Sequence, residues 1–94
     1  MSKIEVKPFD ITEYLDSEEA ISEYLSQVLA NGDSDEFIRA IGHIARARSM
    51  TDIAQKTGLG RENLYNALKS GSKPRFETVA KVIYALGLNI SITP

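Results

Sequence analysis

The densest group of hydrogen-bonding side chains lies in "RENLYNALK", Arg61 to Lys69. Arg61, Glu62, Asn63, Tyr65, Asn66 and Lys69 surround Leu64 and Leu68 there. These residue types suit recognition of a polar edge rather than bond-making. Arginine pairs bidentately with guanine, asparagine with adenine, and glutamate accepts from cytosine N4. Each good pair gives about 1–3 kcal/mol of discrimination. Lysine and tyrosine suit phosphate and sugar. No comparable group suits catalysis. The chain has one histidine, His43, and no cysteine, so no nucleophile, base and orienter can be assembled. His43 is expected as a surface or half-buried residue, not as a metal ligand. Neither enzyme activity, a metal nor a cofactor is expected. Glu18, Glu19 and Glu23 read as a solvated helix face. Arg46 and Arg48 read as a helix end, where positive charge is favourable.

Such side chains read a duplex only if rigid elements aim them. The preceding residues, "MTDIAQKTGLG", predict a helix from about Asp52 to Thr57, a break at Gly58-Leu59-Gly60, and a second helix from about Arg61 to Lys69. A tight corner needs a small residue at the approach, a residue able to take positive φ, and apolar filling. Ala54, Gly58, and the set Ile53, Leu59, Leu64 and Leu68 supply these in turn. The Ala54–Gly58–Leu64 spacing is a helix-turn-helix pattern. In that motif the start of the second helix enters the major groove. Arg61, Glu62 and Asn66 are then the candidates for base edges, with Asn63 and Tyr65 at the margin toward sugar or phosphate. Thr51 and Gln55 on the first helix, and Lys69, Lys73 and Arg75 beyond the second, are candidates for phosphates. Gly60 takes the cap position where Ser or Thr is usual, at a penalty of only a few tenths of a kcal/mol.

Three further helices are expected. Asp16 with Glu19 has capping-box spacing and precedes an apolar stripe of Ala20, Ile21, Tyr24, Leu25, Val28 and Leu29. Asn31-Gly32 ends that helix. Asp33 with Glu36 repeats the box before a helix running to about Arg48, with Phe37, Ile38, Ile41, Ile44 and Ala45 on its buried face. Phe76 opens a last helix through Leu86, stopped by Gly87. "LNISIT" alternates Leu88, Ile90 and Ile92 with polar residues and predicts a short C-terminal β-strand. "KIEVKPFD" predicts a strand or an extended arm. The expected architecture is an all-α, five-helix bundle with that strand. Residues 1–15 form an arm and 16–94 a DNA-binding domain, with the helix-turn-helix core at about 36–86.

A net charge of −2 hides a strong asymmetry. Residues 1–36 hold two lysines against ten acids, a net of −8. Residues 37–94 hold nine Lys/Arg against three acids, a net of +6. Two binding surfaces of opposite sign are expected. The 43% hydrophobic content suffices for one modest core. The absence of cysteine fits a reducing cytoplasm, and neither a secretory signal nor a membrane span is visible.

The corner with its flanking helices and basic loop, about Glu36 to Leu86, resembles the Xre/Cro/C1-type helix-turn-helix regulators, whose domain is a lambda-repressor-like bundle. More narrowly, "ARARSMTDIAQKTGLGRENLYNALKSGSKPRFETVAKVIYALGLNISI", preceded by "YLDSEEAISEYLSQVLANGD", resembles the HigA-like "probable addiction module antidote" family from about Tyr14 to Ile92. The resemblance implies an antitoxin of a type II toxin-antitoxin module. Such a protein binds double-stranded operator DNA, represses its own operon and neutralises a RelE/ParE-superfamily toxin. The acidic front then either attracts a basic toxin or keeps the domain soluble and repels DNA from the wrong face; both readings stay open. The C-terminal strand pairs with "KIEV", with its twin in a homodimer, or with the toxin. Two alternatives of other classes are a stand-alone phage-like repressor without a toxin, and a protein-interaction module that has lost DNA binding.

Overall fold

The computed structural model describes residues 17–94. Among these, five helices form the fold: α1 Glu18–Ala30, α2 Ser34–Arg48, α3 Met50–Thr57, α4 Arg61–Ala67 and α5 Phe76–Ala85. The proposed arm at 1–15 and the "KIEVKPFD" strand lie outside the described residues, as does Asp16.

Local chemistry sets each boundary. Ser17, not Asp16, caps α1: its hydroxyl oxygen accepts from the Ala20 N–H at 3.1 Å. Asp33 caps α2 as its spacing predicts, accepting from the Glu36 N–H at 3.2 Å. The α3 helix begins two residues earlier than expected because Ser49 caps it. Its side chain accepts from the Asp52 N–H at 3.1 Å. The α4 helix ends at Ala67, so Lys69 lies just past its C-cap, Leu68.

The stripes of all five helices meet in one core. Ile21, Leu25 and Val28 come from α1, and Ile38, Ile41, Ile44 and Ala45 from α2. Met50, Ile53, Leu64, Leu68, Val79, Val82, Ile83 and Leu86 complete it. The α1 helix packs on α2, while α3 touches α2, α4 and α5. One close approach is built on Gly42 in the middle of α2. A Cβ there would stand 2.7 Å from the Leu68 carbonyl oxygen. Leu29 departs from its expected place in the α1 stripe and is 58% exposed. Phe37 is only half-buried.

The expected C-terminal strand is absent: residues 88–94 hold no regular structure. A strand needs a ladder partner, and the regular elements among the described residues are all helices. The first tail residue instead serves the helix before it. Gly87, at φ 88°, donates to the Tyr84 carbonyl at 3.0 Å, and the Leu88 N–H donates to that of Ile83 at 3.2 Å. This is the Schellman arrangement that closes a helix end. Leu88 and Ile90 pack against the core, and Ile92 is exposed.

Candidate nucleic-acid interface

The corner between α3 and α4 is fixed by Gly58 and Thr57, with Leu59 and Ala54 filling the angle. Gly58 takes φ 77°, and its N–H donates to the Ala54 carbonyl at 2.9 Å. Thr57 ties the turn from both sides: its hydroxyl donates to the Ile53 carbonyl at 2.8 Å and accepts from the Leu59 N–H at 3.2 Å. Leu59 and Ala54 are half-buried in the angle. Gly60 then begins α4 in an extended conformation, with no side-chain cap.

The α4 helix is short and divided sharply by polarity. Leu64 and Leu68 are fully buried beneath it. Arg61, Glu62, Asn63, Tyr65 and Asn66 are all exposed. Thr51 and Gln55 lie one turn apart on exposed positions of α3. Lys69, Lys73 and Arg75 are exposed along the loop that follows α4. That loop is held by Ser72, whose hydroxyl donates to the Ala67 carbonyl at 2.5 Å. Every residue singled out for contact with a ligand is therefore exposed.

Two contacts modify the surface. The Arg61 guanidinium lies 5.6 Å from the Tyr65 ring centre, and its Nη2 donates to the Tyr65 hydroxyl at 3.4 Å. This i,i+4 pair is a cation–π contact at an exposed site, worth about 0.5–1 kcal/mol. It restrains the arginine along α4. Asp52 is paired with Lys56 at 3.2 Å. Glu62 is then the one acid between Arg61 and Arg75, against the cations Arg61, Lys69, Lys73 and Arg75. The contrast with the α1–α2 end is sharp: from Ser17 to Ile38 there are six acids and no lysine or arginine.

Sequence reasoning passed over three residues that position this surface. Ser49 joins two helices through a φ of 147°. Thr57 latches the corner. Gly42 lets α4 sit against α2. The glycine inside a helical pattern was a readable signal of close packing; a serine at positive φ had none. His43 is exposed, and Tyr24 is half-buried against the core. Among the described residues no helix is long and apolar enough to cross a membrane.

No solved structure matches the chain. A Haemophilus influenzae protein of uncharacterized function is 43% identical over 88 residues, which cover 94% of this chain and 91% of that protein. A family model described as "probable addiction module antidote protein" matches residues 5–94. With that match running over nearly its whole length, the chain belongs to the probable addiction module antidote family.

Proposed function

We propose that the chain is the DNA-binding antitoxin of a type II toxin-antitoxin module. In this reading α3 and α4 are a helix-turn-helix, and α4 enters the major groove of operator DNA. Arg61, Glu62 and Asn66 face base edges; Asn63 and Tyr65 meet the groove wall. Thr51, Gln55, Lys69, Lys73 and Arg75 hold phosphates and set register. A homodimer places two copies of α4 about 34–36 Å apart, one helical turn of DNA. Binding there represses the module's own operon, while the same chain neutralises a RelE/ParE-superfamily toxin.

One observation carries this reading: α4 buries Leu64 and Leu68 completely and leaves its entire complement of polar recognition residues outside. A helix held only for packing has no need of Arg, Glu and two Asn in seven residues. Family membership supplies the toxin side, since an antidote acts on a toxin.

Gel-shift titration with the DNA upstream of the gene is the test. Arg61→Ala with Asn66→Ala removes two bidentate pairs, so affinity falls about 30- to 20,000-fold, from about 1–3 kcal/mol for each. Both residues are exposed, so the melting temperature stays near that of the parent. Unchanged affinity would remove α4 from the groove. Binding that does not vary with salt favours the interaction-module reading, for which the uncapped Gly60 and the Arg61–Tyr65 pairing speak.

A further inference from the structure

Most of the cationic side chains of α2 lie on one side of it. Arg39, His43 and Arg46 follow one another at helical spacing, and all three are exposed, so they share one outward face. The close approach at Gly42 lies beside that face. A Cβ there would meet the Leu68 carbonyl oxygen at 2.7 Å and the Arg46 Nη1 at 3.5 Å. The Arg46 guanidinium therefore reaches back one turn and lies along the seam where α4 ends against α2. A charge serving the helix end would instead turn to the last carbonyls of α2. Arg48 is placed differently, lining a separate pocket with Glu18, Asp52 and Lys56. The two arginines that look alike in sequence thus belong to different surfaces.

Both sides of the seam are free of acid. From Phe37 to Thr51 there are three arginines and no Asp or Glu; from Asn63 to Phe76 there are Lys69, Lys73 and Arg75, again with no acid. Leu68, whose carbonyl meets Gly42, joins directly to the exposed Lys69. Asp35 and Glu36 close the row at the start of α2. A surface of one sign raises the local concentration of the opposite charge. Cations clustered along one face of a helix are the electrostatic footprint of a nucleic-acid backbone. We propose that Arg39, His43 and Arg46 hold phosphates of the duplex, so that α2, which lies outside the helix-turn-helix, carries the backbone contact past the end of α4. The row extends about 10 Å along α2, at about 1.5 Å per residue. This deepens the reading of the chain as a DNA-binding antitoxin and rests on it. Contacts of this kind add strength and register without choosing bases.

Filter binding of the full chain to the DNA upstream of its gene, and to unrelated DNA, at several salt concentrations tests the row. Each phosphate held contributes about −0.9 to the slope of log affinity against log salt. Arg39→Gln with Arg46→Gln flattens that slope by about 2 per bound chain and weakens both DNAs by a similar factor. Arg39→Lys with Arg46→Lys keeps both charges and the parent slope. Arg48→Gln removes a cation from the same helix but outside the row, and the slope stays as in the parent. Circular dichroism and melting establish that each variant is folded. The inference is overturned if the double glutamine variant keeps the parent slope, or if Arg48→Gln flattens it equally per charge removed, since net charge alone would then explain the loss. A double glutamine variant with a lowered melting temperature and an unchanged slope makes Arg46 a brace for α4, which also overturns it. In each of these cases the parent still binds, and the DNA-binding reading survives. If the parent binds neither DNA, both fall together.

Discussion

Ser49 carries two helix ends on one residue. Its N–H donates to the Ala45 carbonyl at 2.9 Å and closes α2. Its carbonyl accepts from the Ile53 N–H at 3.0 Å, and its hydroxyl caps α3. Compressing a C-cap and an N-cap into one position forces φ to 147°, a region costing a side-chain-bearing residue about 1–3 kcal/mol. The substitutions separate strain from capping. Ser49→Ala keeps the strain and loses the cap, so stability falls by about 1 kcal/mol. Ser49→Gly loses the hydroxyl at a few tenths of a kcal/mol but relaxes the backbone, so it matches or exceeds the parent. Urea titration ranks the three proteins. An alanine variant as stable as glycine would show that Ser49 is neither strained nor a useful cap. The residues proposed to read DNA present the opposite case. Their exposure frees them from packing, and among the described residues Arg61 and Tyr65 pair with each other.

At the scale of elements, the seating of α4 depends on α2. The helix has only seven residues and no side-chain cap, so its own hydrogen bonds leave it marginal. Leu64 and Leu68 fasten it, and Gly42 gives it room. Gly42→Ala gains about 1 kcal/mol of helix propensity in α2. Against that, the new methyl meets the Leu68 carbonyl oxygen at 2.7 Å, where backbone must move. Overpacking of this kind costs about 1–3 kcal/mol. Overpacking wins, and thermal unfolding moves down by several degrees, since 1 kcal/mol is about 4–8 °C in a domain of this size. A higher melting temperature would mean that α4 shifts away freely. The start of α2 and the end of α5 were legible because Asp33 and Gly87 act through neighbours in the chain. The end of α4 was not, because Leu68 turns where the packing against Gly42 requires it.

At the scale of the whole molecule, charge is divided along the described chain. The described acidic hairpin, Ser17 to Ile38, and the cations from Arg61 to Arg75 lie on different elements. A net charge of −2 therefore conceals one strongly acidic and one basic stretch of the chain. If the chain binds operator DNA as proposed, the logarithm of the affinity falls linearly with that of salt, with a slope near −0.9 for each phosphate neutralised. The triple change Lys69→Gln, Lys73→Gln and Arg75→Gln flattens the slope by about 3 per bound chain while the preferred sequence stays the same. Filter binding at several salt concentrations measures this. An unaltered slope would place the phosphate contacts elsewhere.

The sequence alone determined the helices, their order, the glycine corner and the polar face of α4. Each follows from spacing, capping or turn chemistry among residues close in the chain, and family membership is carried by the same residues. Three features needed the tertiary structure. "LNISIT" has a strand's alternation, yet strand pairing is a property of two segments, and the tail closes α5 instead. Leu29 continues the α1 stripe but stands open, because only the placement of α2 and α5 decides how far along α1 the core reaches. Phe76 opens its helix with an apolar ring that nothing adjacent in sequence covers. Burial depends on which elements meet, and that is settled by packing over the whole domain.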